Sequence, residues 1–255
     1  MRALVTNDDG VDSTGIRALA LAAKAVGLEV TVAAPAWDSS GASASLTGVQ
    51  QDGRLLFESR PEWGTGPVFG VEAAPAFIVR AAVHGAFGDP PDIVLSGVNN
   101  GPNTGHAILH SGTVGAVLTA STFGRPGVAF SLGASATPQW DTAEAIAATV
   151  LRWVVESPRQ LVLNVNVPNV ALADVKGIVP ARLAAFGAVQ TNLTEAGEGY
   201  VKFAFTEIEA EYEDGTDAAA LAQGYACYTA LSAVCENESA DIAGLDQLQV
   251  SLPAH

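Results

Sequence analysis

Over its first two-thirds the chain alternates short apolar runs with longer stretches of helical spacing, and no other feature restricts the fold as strongly. "RALVTN" (2–7), "EVTVAAP" (29–35), "DIVLSG" (92–97), "GVAFSL" (127–132) and "LVLNVNVP" (161–168) read as strands. Between them, "STGIRALALAAKAVG" (13–27), "APAFIVRAAVHGAFG" (74–88), a segment starting near Thr113 and "DTAEAIAATVLRWVVES" (141–157) read as helices, with Asp141 as the N-cap of the last. Such alternation predicts an α/β fold: a mostly parallel sheet with helices on both faces.

After Pro168 the pattern changes. "YVKFAFTEIEAEYE" (200–213) alternates apolar and polar residues with period two, as an antiparallel strand with one wet face does. "GYACYTAL" (224–231) is its expected companion, and residues 240–250 are weakly helical. The division predicted is an α/β catalytic domain over residues 1–175 and a small β-rich extension over 176–255. A long alternating strand appended to a finished sheet leaves an open edge, so a homo-oligomer, dimer or tetramer, is expected.

Charge narrows the function. With 12 Lys and Arg against 27 Asp and Glu, the net charge is −15. Nucleic-acid polymers and anionic membranes both require a basic surface, so neither is expected as a partner. A small anionic substrate remains open if a metal ion or backbone amides supply local positive charge. The chain opens on a strand-like segment rather than a basic leader, and Cys227 and Cys235 make no metal-ligand pattern. Reduced thiols in the cytoplasm are therefore expected.

In a parallel sheet, ligands bind outside the carboxyl ends of the strands. Three polar loops leave strands at that rim: residues 7–10, 38–45 and 96–113. The first contains Asp8 and Asp9, adjacent carboxylates that repel unless something positive lies between them. A hard divalent cation fits there, with hydroxyl and amide oxygens of the other loops completing an oxygen shell. In the third loop, "SGVNNGPNTG" (96–105) offers inward-pointing amides, and Ser111, Gly112 and Thr113 open a helix whose N-terminus suits an anion. A metal beside an anion cradle is the equipment of phosphoryl chemistry.

Each element has a plainer reading. Asp8 and Asp9 suit a solvated turn, residues 99–105 a surface loop, and Ser111 an ordinary N-cap. His106 and His110 could act as bases or simply face solvent. "AFSLG" (129–133) approximates a nucleophile elbow around Ser131, but only His255 follows it in chain order. "NVNVP" (164–168) reads as strand and Pro stop, with no chemistry.

Taken together and in order, "NDDG" (7–10), "AP" with "SGAS" (34–35, 40–43), "SGVNNGPNTG" (96–105), "HSGTVGA" (110–116), "LNVNVP" (163–168) and "GTDAAALAQGY" (215–225) resemble the SurE (survival protein E) family over nearly the whole chain. The resemblance implies a Rossmann-like domain with a β-rich C-terminal extension exchanged between subunits. It also implies a divalent-metal-dependent phosphatase acting on nucleoside 5′- and 3′-monophosphates. By position, one Mg²⁺ or Mn²⁺ per subunit would be held by Asp8, Asp9, Ser40 and Asn99. Ser40, not Ser39, directly precedes the glycine of the Ser-Gly pair. Asn103, Ser111, Gly112 and Thr113 would hold the substrate phosphate. The general base is left open by the resemblance: Asp8 or Asp9 is the first choice, His106 or His110 the second.

Three segments depart from the family pattern. Ala73 to Ile78 replace Gly-Thr-Pro-Ala-Asp-Cys, His110 replaces Tyr, and Ala230 replaces Pro in the Ser-x-Thr-Pro-Leu segment. If Ala74 and Phe77 face the pocket, the same chemistry on a specialised phosphorylated metabolite is the alternative. If Phe77 packs into the core, nucleotide preference stands. A non-catalytic nucleotide or phosphate sensor is the remaining reading.

Overall fold

In a computed structural model, the structure describes residues 1–156, 160–185, 189–197, 200–207 and 212–235. Strand β1 (Arg2–Thr6), helix α1 (Thr14–Ala25) and strand β2 (Glu29–Pro35) make the first unit. Strands β3 (Gln50–Gln51), β4 (Arg54–Leu55), β5 (Phe57–Arg60) and β6 (Val68–Val71) follow. Next come α2 (Pro75–Val83), β7 (Ile93–Asn100), α3 (Gly112–Thr122), β8 (Gly127–Leu132), α4 (Trp140–Glu156) and β9 (Val162–Val167). Beyond them lie β10 (Ile178–Pro180), β11 (Val189–Gly197), β12 (Tyr200–Glu207), α5 (Asp217–Ala222) and β13 (Ala226–Leu231).

Nine strands form one sheet in the order β10-β13-β9-β8-β7-β1-β2-β6-β5. The six from β9 to β6 run parallel, as the strand–helix alternation requires. Period-two alternation sends successive side chains of each strand to opposite faces. Val5, Val32, Leu95 and Val165 thus pack with Ile16 and Leu19 of α1 and Leu151 of α4. Leu4, Ala33, Val94 and Ala129 pack on the other face with Ile78 of α2 and Val114 and Val117 of α3. Full burial of a Val or Leu side chain contributes about 1.5–3 kcal/mol, so these two layers hold the sheet against its ordering entropy.

Strand order reverses at β1, which has β2 on one side and β7 on the other. The crevice beyond the carboxyl ends of β1 and β7 is therefore the topological switch point. Residues 7–10 and 99–113 leave the sheet there.

Three details differ from the sequence expectations. β13 does not accompany β12; it pairs antiparallel with β9 and parallel with β10, closing the outer edge that β9 would otherwise leave open. β12 instead pairs with the polar β11 just before it, the shortest loop closure available. Asp141 lies in the first turn of α4 rather than at its N-cap, where its charge still complements the helix dipole. The expected helix at 240–250, and residues 208–211 of the long alternating strand, lie outside the described residues. Among the described residues, no helix is long and apolar enough to cross a membrane.

Candidate active site

The turn after β1 is built by its neutral residues. Asn7 Nδ2 donates to Gly10 O at 3.0 Å and to Ser13 Oγ at 2.8 Å, and Gly10 takes a positive φ of 99°. The two carboxylates between them do none of this work. Asp8 is buried and turns toward the N-terminus of α3, where Thr113 N donates to its Oδ2 at 3.1 Å and Thr113 Oγ1 donates to its Oδ1. Gly112 permits this approach, since a Cβ there would lie 2.8 Å from Asp8 Oδ2. Asp9 accepts one backbone hydrogen bond, from Asn100 N at 3.2 Å.

Burial pushes the Asp8 carboxyl above its ordinary value, partly opposed by the Thr113 hydrogen bonds. Asp9 rises to about 6, first through burial and then through the charges of Asp8 and Asp38, with the Asn100 amide pulling it back. Ion pairs among the described residues involve Arg2, Arg60 and Arg182, none of them at these carboxylates. Nor does a third His, Cys, Asp or Glu complete a ligand cluster with them among the described residues. Two adjacent carboxylates with no cationic side chain bonded to them among the described residues suit a hard divalent cation, which takes oxygen ligands.

The second loop reaches the first through Ser39, whose N and Oγ donate to Asp8 O at 2.7 and 3.2 Å. Ser40 is exposed; its Oγ donates to Asp38 Oδ1 at 2.6 Å and its N to the same atom at 2.9 Å. That bond occupies the Ser40 proton and leaves the oxygen lone pairs for another partner. Both bonds also hold the Asp38 carboxyl below its usual range. Asn99 stands at the end of β7, past a register shift against β8 between Ser96 and Asn99. Its Nδ2 donates to Gly101 O at 2.7 Å, leaving Oδ1 as acceptor.

Asn103 is held from the sheet. Its N donates to Asn166 Oδ1 at 2.9 Å, its Nδ2 to Ser131 Oγ at 2.8 Å, and its O accepts from Nδ2 of both Asn164 and Asn166 at 2.8 Å. Two expectations change here. Ser131 lies inside β8 as a buried acceptor, not at a nucleophile elbow, and "NVNVP" contributes two buried asparagines that latch the third loop. Sequence reasoning missed this latch, as well as Ser39 and Asp38; the paired Asn at period two in an apolar strand was the available signal.

Ser111 caps α3, its Oγ accepting from Val114 N at 3.1 Å. Gly112 and Thr113 follow, but both donors of Thr113 go to Asp8. The anion seated at this helix N-terminus is thus the protein's own carboxylate. His106 and His110 are exposed, and no hydrogen bond links either ring to Asp8 or Asp9. Beside the second loop lies an open pocket of about 400 Å³ lined by Trp37, Ser39, Ser40, Thr47 and Ala74. Phe77 is not in that lining; it is partly buried against the second core and rests on Gly48.

Two adjacent carboxylates thus stand at the switch point of a parallel sheet covered on both faces, in an α/β protein. The chain belongs to the SurE family: the model of Survival protein SurE matches residues 3–188. It is 36% identical over 234 residues to the 5′-nucleotidase SurE of Carboxydothermus hydrogenoformans, covering 88% of this chain and 87% of that protein. Identity to the 5′-nucleotidase SurE of Stutzerimonas stutzeri is 37% over 242 residues, covering 91% and 92%. The crystal structure of the SurE protein from Aquifex aeolicus superposes with a TM-score of 0.75 at 27% identity, covering 97% of this chain and 98% of that one.

Proposed function

We propose that this protein is a divalent-metal-dependent phosphomonoesterase hydrolysing nucleoside 5′- and 3′-monophosphates. The observation that carries the reading is the Asp8–Asp9 pair at the switch point, Asp8 buried and Asp9 half-buried, with no cationic side chain bonded to it among the described residues. Membership in a family whose relatives are named 5′-nucleotidases supports the substrate class.

Asp8, Asp9, Ser40 and Asn99 would hold one Mg²⁺ or Mn²⁺ per subunit. When bound, that ion would neutralise phosphate charge and lower the pKa of an attacking water. Ser111 and Gly112, with the second N–H of Asn103 Nδ2, would hold the phosphate; Thr113 is assigned instead to orienting Asp8. Asp9 is the better general base of the two, because Asp8 commits both oxygens to Thr113 and Asp9 keeps one free. Water excluded from Asp8 by α3 preserves the strength of these interactions.

The reading extends to a homo-oligomer. β11 and β12 pair only with each other among the described residues, and a lone two-stranded hairpin is marginal in water. A cytoplasmic location accords with two unpaired thiols. The domain division near residue 175 is retained as a functional one, although β10 and β13 complete the main sheet.

The test is phosphate release from a panel of AMP, GMP, CMP and several sugar and cyclitol phosphates, with EDTA and with added Mn²⁺. Metal-dependent turnover of nucleoside monophosphates is expected. No release from any monoester under any metal defeats the enzyme reading, and selective turnover of a non-nucleotide ester defeats the substrate class.

A further inference from the structure

The "GTDAAALAQGY" segment lies far along the chain from the candidate site, and its Asp217 is fully buried. A buried carboxylate is costly unless hydrogen bonds replace its water. Asp217 accepts three backbone N–H bonds: Gly105 N on Oδ2 at 2.9 Å, and Ala184 N at 3.0 Å and Ala218 N at 2.9 Å on Oδ1. The Ala218 bond lies within its own helix, whereas the other two clamp separate segments together. A second bond runs alongside, from His106 N to Ala184 O at 3.2 Å. Consecutive amides of the third loop, Gly105 and His106, are therefore gripped by the C-terminal part of the chain.

That grip falls at a definite place. Two residues earlier, Asn103 is fixed by Asn164 and Asn166. From Gly105 the chain enters a 3₁₀ turn (Gly105–His110) that delivers Ser111, Gly112 and Thr113 to α3. The segment assigned to phosphate is thus pinned by β9 on one side of Thr104 and by Asp217 on the other.

We propose that Asp217 is a positioning residue for phosphate binding, fixing the start of the 105–113 segment from the C-terminal part of the chain. The proposal rests on the phosphomonoesterase reading above. Asp217→Asn separates the three bonds. Only one oxygen remains, and keeping it at the position that serves Ala184 and Ala218 retains two bonds. The new amide then faces the Gly105 N–H, donor against donor, and that amide is left unsatisfied.

The experiment measures kcat and KM for a nucleoside monophosphate, Ki for inorganic phosphate, and Mn²⁺ affinity by calorimetry, in wild type, Asp217→Asn and Thr229→Val. Thr229 Oγ1 donates to Ala181 O at 2.9 Å, so its loss removes a comparable bond of the same region without touching residue 105. In Asp217→Asn, KM and phosphate Ki are expected to rise together roughly tenfold, the scale of one unsatisfied buried amide. Mn²⁺ affinity should stay within about twofold, while Thr229→Val lowers only Tm. A fall in Tm with KM and Ki unchanged overturns the positioning role.

Hydrogen exchange on the wild type, with Mn²⁺ and with or without inorganic phosphate, answers independently of whether the variant folds. Protection rising together at Gly105 and Ala184 supports the proposal; protection confined to residues 111–113 overturns it. Wild-type protein that releases no phosphate overturns the phosphomonoesterase reading itself. Wild-type turnover with unaltered constants in Asp217→Asn overturns only the role of Asp217.

Discussion

Both oxygens of the Asp8 carboxylate are taken by one residue, Thr113, through its amide at 3.1 Å and through its hydroxyl. The helix N-terminus and the carboxylate satisfy each other, and the side chain has one orientation. Partners of this kind, which aim a ligand without touching the ion, typically change affinity or activity by about 10–100-fold when removed. Thr113→Val should lower phosphatase activity and Mn²⁺ affinity by roughly that factor, and Thr113→Ser should restore both to within about threefold. Steady-state kinetics with metal titration checks this; equal activity in both variants denies the orienting role.

Asp9 gives the metal-free protein a pH dependence with a definite sign. Its folded pKa is raised from 3.8 to about 6, so protonation favours the folded state. The Asp9 contribution to stability is fully present below the ordinary carboxylate range and is lost as pH rises through about 6. Melting of the EDTA-treated protein across that window should show the decline, and saturating Mg²⁺ should reverse it by binding the ionised pair. Asp9→Asn should flatten the profile, hold or raise apo Tm at neutral pH, and cut activity by orders of magnitude. A marked loss of apo Tm would instead make the pair structural.

Asp38 is expected to act through Ser40. Its carboxylate accepts the hydrogen bond of the Ser40 hydroxyl, which turns the serine oxygen's lone pairs elsewhere. Asp38→Ala should weaken Mn²⁺ binding roughly tenfold, with Asp38→Asn falling between it and wild type. Calorimetry reads this directly, and unchanged affinity in Asp38→Ala removes Asp38 from the site.

The two thiols should separate cleanly. Cys227 is buried and pushed up to about 12 by burial and by Asp217, whereas Cys235 is exposed. A thiol reagent at about pH 8 should modify one cysteine quickly and the second only after denaturation. Two fast thiols in the native state would contradict the packing of β13.

Much of this centre was legible in the sequence, for local reasons. Asp8 and Asp9 stand out because a turn does not need adjacent charges, and helical spacing and short apolar runs located α1, α2, α4 and most of the central strands. What was illegible depends on distant partners. Asn164 and Asn166 look like ordinary strand residues until the loop they hold, 61 and 63 residues away, is seen. Ser39 and Ser40 are neighbours in a loop without periodicity, so no pattern says which turns to Asp8 and which to Asp38. β11 escaped because its polar sequence lacks an apolar face. Phe77 could be read toward the pocket or the core; helical spacing favoured the core, where it lies, while Ala74 does line the pocket.

Thr113 stands 105 residues from Asp8, and Asn100 stands 91 residues from Asp9. No contiguous fragment shorter than that holds both halves of the centre, and the contacts form only after long loops close, which is slow. A chain emerging from the ribosome therefore exposes its two aspartates long before anything can fix them in place. On refolding, helical signal should return first and catalysis last. The metal binding and hydrolysis proposed for these aspartates therefore await a complete topology.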